Sequence, residues 1–451
     1  MVKPVPMSKW MPAPKAFWGM TCLLFLSACS SFSLPELGFY PVQLDNKSLH
    51  QEVFTESYRR LNSFYLEPVN LAQLVPEGLE GLKAIDPAYI PTVTAQPSGG
   101  DWRDWGQVTQ DSIRAAQSRS PKLAAATPDQ IYNAFYPAML SHLDGFSHYV
   151  PPLDADAEKD MRDGYGGIGV TFERRGSNFV IVDTFIDSPA ARAGLKAGQI
   201  VYAVNGMPAV QLSASEFSQR VRGPVGAPIT LSVGKPPEAP HDVTIIRAEV
   251  IPTTVSFRME RSIAVIRISR FMPSTVREFR DAAQQALWRH ATAVIIDLQH
   301  NPGGILESAT DMAGLLVPRG VVASINGRNP SANHIYNTSG ADILNGLPLY
   351  VLMDGHSASS AEVLAAALHD RGRAMLIGST SYGKGSVQNV GPLPHGGELA
   401  VTWAHILSPN GTSWVQRGLT PDVCVLAQNP CPKADDIEAL ALPKALELAR
   451  N

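Results

Sequence analysis

The 451-residue chain lacks two features that are typical of non-enzymatic binding proteins, a block of basic residues and an internal repeat. No block of lysines and arginines stands out and the formal net charge is −4, so we expect no nucleic-acid partner. No internal repeat at solenoid spacing is evident. Hydrophobic residues make up 45% of the chain and charged residues 17%, which is ordinary globular composition, and a chain of this length divides into several domains.

The N-terminus lacks an apolar run long enough to span a bilayer. The run at 16–26 follows three lysines and has 11 residues, whereas a spanning helix needs roughly 20. This pattern predicts a secretory signal. The run ends in Leu-Ser-Ala-Cys, which resembles a bacterial lipobox and implies that Cys29 carries lipid. Ser30 after the cysteine favours the outer membrane. We therefore expect residues 1–29 to be the signal peptide of a lipid-anchored periplasmic protein of a Gram-negative bacterium.

Cysteine is scarce, with only four in the chain. Cys22 would leave with the signal and Cys29 would carry lipid, which leaves Cys424 and Cys431. A single spaced pair in an exported protein is a candidate disulfide, although two unrelated buried thiols remain an alternative.

Cofactor motifs are absent or incomplete. "GYGGIG" at 164–169 matches G-x-G-x-x-G, but a polar stretch precedes it and a strand-like one follows, whereas a dinucleotide site must follow a strand and open a helix. "GSTSYGK" at 378–384 resembles a P-loop, but Gly385 stands where Ser or Thr should hold magnesium. Neither H-E-x-x-H nor G-x-S-x-G occurs. We expect no metal, nucleotide or other cofactor.

The remaining pattern predicts an α+β multidomain chain. Helical periodicity runs through 51–84 and returns at Thr127, an N-cap with Gln130 three residues on; a Pro/Gly/Ser-rich stretch, 91–106, interrupts it. Short β-rich runs follow, and then alternating strands and helices that indicate an α/β core. The predicted domains are a tether and helical N-terminal region at 30–160, a β-rich domain at 161–250, and an α/β core with a C-terminal helix at 251–451.

The stretch "HSASSAE", residues 356–362, packs three serines into four positions. Ser359 and Glu362 form a capping box, S-x-x-E, before an apolar helix, so the simplest interpretation is a helix cap. A helix N-terminus also stabilises a developing oxyanion, so cap and nucleophile are compatible roles.

A serine nucleophile needs a base, and Lys384 stands between two glycines in "YGKGSVQ". An exposed lysine has a pKa of ~10.4, which leaves about one amine in 2500 neutral at pH 7. Burial lowers a lysine pKa and makes such an amine usable. The alternative is an ordinary lysine that pairs with a surface carboxylate.

The stretch "HSASSAEVLAAALHDRGRAMLIGSTSYGKGSVQ" resembles the C-terminal processing peptidases, or tail-specific proteases. The resemblance implies that Ser359 is the nucleophile, that Lys384, 25 residues on, is the base, and that Gln388 orients the lysine. "IIDLQHNPGGILESA" resembles the loop whose glycine amide completes the oxyanion hole in that family. Those donors would be Gly303 or Gly304 together with the N–H of Ser360.

Upstream, "MLSHLDGFSHYVPP" resembles the segment that precedes a PDZ domain in this family, and 161–250 looks like that domain. The resemblance implies that the loop Gly167 to Gly169 points amides at a terminal carboxylate while the incoming peptide adds a strand. Ile168 and Val170 would line the pocket for the last side chain. For Val170 a plain core role is nearly as good an interpretation.

Four departures from the family pattern stand near these motifs: "SASSAE" for "SASASE", "LQHNPGG" for "LRNNPGG", "LDGFS" for "LDPHS", and Gln199 in place of an aspartate. None changes the three catalytic candidates. We expect a periplasmic serine endopeptidase that acts on proteins or peptides with accessible C-termini. The alternative is a non-catalytic PDZ scaffold that only binds tails. The sequence leaves open an adaptor protein and homo-oligomer formation.

Overall fold

The structure, a computed structural model, describes residues 46–97, 101–152, 154–155, 165–185, 188–237, 239–250 and 253–450. The predicted signal peptide and the lipidation site Cys29 lie outside these ranges. Within them, no helix is both long and apolar enough to cross a bilayer.

The described part of the N-terminal region contains the helices α1 (Asn46–Phe64), α2 (Leu71–Gly81), α3 (Trp102–Arg119), α4 (Pro121–Ala125) and α5 (Pro128–Leu140), with a 3₁₀ turn at Leu82–Ala84. They enclose a core of large aromatic side chains, among them Phe54, Tyr58 and Tyr136. The start of α5 has the predicted capping box, because Thr127 and Gln130 each accept a hydrogen bond from the other's backbone N–H.

The expectation that 91–106 is irregular was wrong for its last residues. Helix α3 begins at Trp102, and its N-cap Asp101 accepts a hydrogen bond from the Arg103 N–H at 2.9 Å. Trp105 and Val108 are buried in the N-terminal core. A capping aspartate and an apolar face therefore outweigh the glycines and prolines that precede them.

The β-rich domain follows strand β1 (His148–Val150). It contains β2 (Tyr165–Gly167), β3 (Val170–Arg175), β4 (Asn178–Thr184), α6 (Pro189–Arg192), β5 (Ile200–Val204), β6 (Met207–Pro208), a 3₁₀ turn (Ala209–Gln211), α7 (Ala214–Val221), β7 (Pro228–Gly234), β8 (His241–Ile246) and β9 (Ala248–Val250). Its main sheet has the antiparallel order β3-β4-β5-β7-β8, with β6 beside β5 and a separate β2–β9 pair. Phe217 of α7 stacks on Phe179 of β4 with 3.9 Å between the ring centroids, and both rings are buried in the core of this domain.

The α/β core comprises β10 (Val255–Glu260), β11 (Ile263–Ile268), α8 (Thr275–Trp288), β12 (Ala293–Asp297), α9 (Leu306–Gly314), β13 (Gly320–Gly327), a 3₁₀ turn (Pro330–Ala332), β14 (His334–Thr338), β15 (Leu349–Met353), α10 (Ser360–Asp370), β16 (Met375–Gly378), β17 (Ser386–Pro392), β18 (Glu398–Leu407), β19 (Val423–Cys424) and α11 (Glu438–Leu448). Its central sheet has the order β10-β11-β12-β15-β16-β19 and is parallel from β11 onward. Helices α8, α9 and α10 cover one face and α11 covers the other.

The carboxyl ends of β12, β15 and β16 meet at one edge of this sheet. The loops that leave them carry "NPGG", "HSAS" and "STSYGK" in turn. Ligands of open α/β sheets bind outside the carboxyl ends of the strands, so the fold brings the three predicted motifs to one crevice.

The helical region is joined to the core by a second sheet. Strand β1 pairs with β18 in the register His148↔Ala400, and this sheet has the order β1-β18-β13-β14. Strand β17 pairs with the opposite edge of β18. Leu399 and Val401 of β18 are buried in the aromatic core of the N-terminal helices. The residues just before β1 are therefore held against β18, whose other edge pairs with β17, the strand that follows Lys384.

Candidate active site

Ser359 lies at the turn between β15 and α10. Its backbone has φ 54° and ψ −118°, a region that L side chains rarely occupy and that costs roughly 1–3 kcal/mol. Its N–H donates a hydrogen bond to the Glu362 carboxylate at 2.8 Å. A strained strand–turn–helix corner presents a serine at the N-terminus of a helix, where backbone donors and the helix dipole favour a negative charge.

The two other serines of the motif have structural roles. The Ser357 hydroxyl is buried and donates to the Leu298 carbonyl at 2.9 Å, which joins the loop after β15 to the end of β12. The Ser360 hydroxyl donates to the Gly304 carbonyl at 2.9 Å and holds the glycine loop against the start of α10. Only Ser359 of the three is placed at the strained corner.

Glu362 connects the loop of the candidate nucleophile to the loop of the candidate base. Its side chain is 1% exposed, and its Oε2 accepts from the N–H groups of Ser359 at 2.8 Å and Lys384 at 2.9 Å. Its Oε1 accepts from the Gly383 N–H at 2.7 Å and the Ser381 hydroxyl at 2.5 Å. Burial raises the pKa of Glu362, and these four donors oppose that rise. One carboxylate thus brings Ser359 and Lys384 to neighbouring positions.

Lys384 is half-buried, and Gln388 lies four residues beyond it on β17. The Gln388 amide nitrogen donates to Ser386 Oγ at 2.9 Å and to Thr402 Oγ1 at 3.3 Å. The structure therefore brings Ser359 and Lys384 to the loops at one edge of the central sheet and places Gln388 on β17, directly beyond the loop of Lys384.

The glycine loop distinguishes between the two oxyanion candidates. The Gly303 N–H already donates to Asn301 Oδ1 at 2.8 Å. The Gly303 carbonyl accepts from the Phe271 N–H at 2.9 Å, and because a trans peptide points its N–H opposite its carbonyl, the Gly304 N–H faces away from Phe271. Ser360 bonds the Gly304 carbonyl on that side. Neither the Gly304 N–H nor the Ser360 N–H has a partner among the described residues, so these two donors are placed to share an oxyanion.

Both positions require glycine. Gly303 has φ 102°, and a Cβ there would lie 2.8 Å from the Ser359 Cβ; Gly304 has φ 137°, and a Cβ there would lie 2.0 Å from the Phe271 carbonyl oxygen. The glycines therefore allow the loop to approach the nucleophile closely.

Sequence reasoning missed part of this site. Glu362 was noticed only as a helix cap, and the buried Asn301, whose amide also donates to the Ile268 carbonyl at 2.8 Å, was not singled out at all. The buried Asp354 accepts from the backbone N–H groups of His300 and Ser357. The S-x-x-E spacing was the clearest available signal, since the contacts of Asn301 with Ile268 and of Asp354 with His300 join residues far apart in sequence.

The predicted peptide pocket lies in the β-rich domain. Gly167 is in β2, opposite Ala248, and Ile168 is 1% exposed within the domain core rather than on an open surface. Val170 is partly buried against the same core. The N–H groups of Ile168 and Gly169 have no hydrogen-bond partner among the described residues, as a carboxylate-binding loop requires.

Cys424 and Cys431 form a disulfide bond with a Cα–Cα distance of 5.8 Å. The segment that it closes supports the loop of the candidate base: Thr380 Oγ1 donates to the Cys431 carbonyl at 2.6 Å, and Lys433 Nζ donates to the Tyr382 carbonyl at 2.6 Å. Across the described ranges, no group of three or more His, Cys, Asp or Glu side chains is placed to hold a metal ion.

Two protein-family models match parts of this chain. The model of peptidase family S41 matches residues 262–425, and the PDZ domain model matches 186–234. A carboxy-terminal-processing protease of Bartonella bacilliformis is 33% identical over 304 residues, which cover 65% of this chain and 69% of that protein. A probable CtpA-like serine protease of Staphylococcus aureus is 29% identical over 304 residues, covering 66% of this chain and 60% of that protein. Among solved structures, a photosystem II D1 C-terminal processing protease aligns over 84% of this chain and 93% of its own, with 22% identity and a TM-score of 0.45.

Proposed function

The chain belongs to peptidase family S41, the carboxy-terminal-processing serine proteases, and from this premise we propose that it is an endopeptidase with a Ser359–Lys384 dyad. The observation that carries the assignment is the buried Glu362 carboxylate, which accepts from the backbone N–H groups of both residues. A helix cap alone would not require the three hydrogen bonds that Glu362 accepts from the lysine loop.

In the proposed reaction, the neutral amine of Lys384 takes the hydroxyl proton of Ser359 as its oxygen attacks the scissile carbonyl. The N–H groups of Gly304 and Ser360 stabilise the oxyanion. The Lys384 ammonium then gives its proton to the leaving amine, and water releases the acyl-enzyme in a second, equivalent step. Gln388 orients the lysine throughout.

The substrates that we propose are proteins or peptides with an accessible, apolar C-terminus. The N–H groups of Ile168 and Gly169 would bind the terminal carboxylate, and the tail would add a strand beside β3. The buried position of Ile168 means that a pocket for the last side chain has to open when the tail enters. We place the enzyme in the periplasm, held to the membrane by lipid on Cys29.

The test uses the chain from Ser30 onward and an unstructured reporter with an apolar C-terminus. We expect wild type to cleave it, and Ser359→Ala and Lys384→Ala to lose at least ~1000-fold of that rate. A reporter ending in two aspartates is the matched substrate control and should be cleaved slowly. Cleavage by Ser359→Ala at the wild-type rate would refute the dyad.

A binding measurement distinguishes the proposed enzyme from the alternative, a non-catalytic scaffold. Both wild type and Ser359→Ala should bind a fluorescent tail peptide, since the substitution does not touch the PDZ domain. Tight binding without cleavage by any variant would favour the scaffold over the enzyme.

A further inference from the structure

A polar network reaches the candidate active site from the N-terminal region. Asp144, in "LDGFS" before β1, accepts from the N–H groups of Phe146 at 2.6 Å and Ser147 at 2.7 Å, and from the Ser147 hydroxyl at 2.7 Å. It also accepts from Thr402 Oγ1 of β18 at 3.1 Å. The Ser147 hydroxyl in turn accepts from the Thr402 N–H at 3.0 Å, so two hydrogen bonds fix Thr402 to this loop.

The direction of each proton in this network follows from the chemistry of the groups. An ionised carboxylate can only accept, so the Thr402 hydroxyl must give its single proton to Asp144. Thr402 Oγ1 then has only lone pairs to offer Gln388. The Gln388 atom that faces Thr402 at 3.3 Å is therefore the amide nitrogen, and the carbonyl oxygen Oε1 lies on the other side of the amide.

We propose that Asp144 and Thr402 are positioning residues that fix the amide orientation of Gln388, so that its Oε1 is the acceptor presented to Lys384. An acceptor stabilises the ammonium that forms when the lysine takes the serine proton, whereas an amide turned by 180° would present N–H groups and repel it. The inference rests on the proposed dyad, because it concerns how the base is oriented.

The variant that tests the network is Thr402→Val, which removes the hydroxyl and keeps the shape of the side chain. We expect kcat on the plateau of the pH profile to fall about 10-fold with KM unchanged, and the rising limb of that profile to move to lower pH, because the ammonium loses its oriented acceptor. Thr402→Ser keeps the hydroxyl and should restore at least half of kcat. Thr244→Val, the same substitution on β8 of the PDZ domain, is the control and should leave kcat unchanged.

A second readout does not depend on cleavage. Titration of Lys384 by NMR of ¹³C-labelled lysine should give a lower midpoint in Thr402→Val than in wild type. Equal midpoints and equal pH profiles would overturn the inference and leave the dyad intact, as would a loss confined to thermal stability or KM. Loss of the dyad itself would appear separately, as equal activity of wild type and Ser359→Ala.

Discussion

Glu362→Gln is the most direct test of how the loops of the candidate nucleophile, Ser359, and the candidate base, Lys384, are held together. The substitution keeps the size of a side chain that is 1% exposed and replaces one oxygen by an amide nitrogen. All four of its partners are donors: the N–H groups of Ser359, Gly383 and Lys384, and the Ser381 hydroxyl. A glutamine must therefore turn its own donors toward two of them.

The hydrogen-bond partners of Glu362 indicate which orientation of the introduced amide destabilises the fold less. If the amide nitrogen faced Ser359 and Lys384, two buried N–H groups would lose their acceptor. If it faces Gly383 and Ser381, only the Gly383 N–H is left unpaired, because a hydroxyl can rotate and accept instead. One unpaired buried donor costs about 1–3 kcal/mol, and the two bonds that remain lose their charge assistance. Release of a buried charge offsets part of this cost. We therefore expect Glu362→Gln to lower the free energy of unfolding by about 2 kcal/mol relative to wild type.

The effect on activity should exceed that on folding. Gly383 precedes Lys384, so an unpaired Gly383 N–H loosens the loop of the base, and we expect kcat to fall roughly 10- to 100-fold with little change in KM. Urea unfolding and steady-state cleavage of the reporter measure the two quantities. Ser381→Ala is the control for kcat, because it leaves the carboxylate and its three backbone bonds. It also removes the acceptor of the Leu419 N–H, so it should lower the free energy of unfolding by about 1–3 kcal/mol while kcat stays near that of wild type. A Glu362→Gln enzyme with wild-type stability and kcat would refute the reasoning.

Two further predictions concern supporting parts of the molecule. Replacing both Cys424 and Cys431 by serine opens a short closed loop, with a sequence separation of 7, and should cost about 2.5 kcal/mol; kcat should fall because Thr380, in the lysine loop, bonds the Cys431 carbonyl. Thermal unfolding with and without reductant checks this, and no difference would contradict it. Burial holds the pKa of His50 and of His395 below the usual value, so the unfolded chain binds more protons below about pH 6.5. The contribution of these histidines to stability should thus be complete above that pH and be lost as the pH drops below it. Between pH 7.5 and 5.5, the free energy of unfolding in urea should fall less for His395→Gln than for wild type. An equal fall in the two proteins would exclude His395 as a source of the pH dependence.

The sequence predicted the fold class, and the structure and family matches confirm it. Continuous apolar strands such as β12 and β15 and the capped start of α5 are local patterns, so residues close in sequence carry the information. The start of α3 was missed because a proline- and glycine-rich stretch was weighed above the capping Asp101. Its burial depends on packing against α1, which no local pattern specifies.

The candidate site was predicted residue by residue only where a motif was continuous. The family resemblance pointed to Ser359, Lys384 and Gln388 and left Gly303 and Gly304 undistinguished, since the choice depends on a hydrogen bond from Phe271, more than thirty positions away. The link from Asp144 to Thr402 joins residues 258 positions apart through the pairing of β1 with β18. Register between distant strands is set by tertiary packing, so no spacing in the sequence could have indicated it.

The capping box and the proposed oxyanion hole are complementary uses of one helix N-terminus. The Ser359 N–H donates to Glu362, and the Ala361 N–H donates to the Ala358 carbonyl at 3.0 Å. The Ser360 N–H between them has no partner among the described residues, and its own hydroxyl holds Gly304 alongside. Capping the amides on either side therefore leaves one helix donor for a substrate oxygen and fixes its direction, which is the preorganisation that oxyanion stabilisation needs. The cap, which is the simplest interpretation of the S-x-x-E spacing, is thus compatible with the catalytic role that we propose for Ser359 and orients the donor that this role needs.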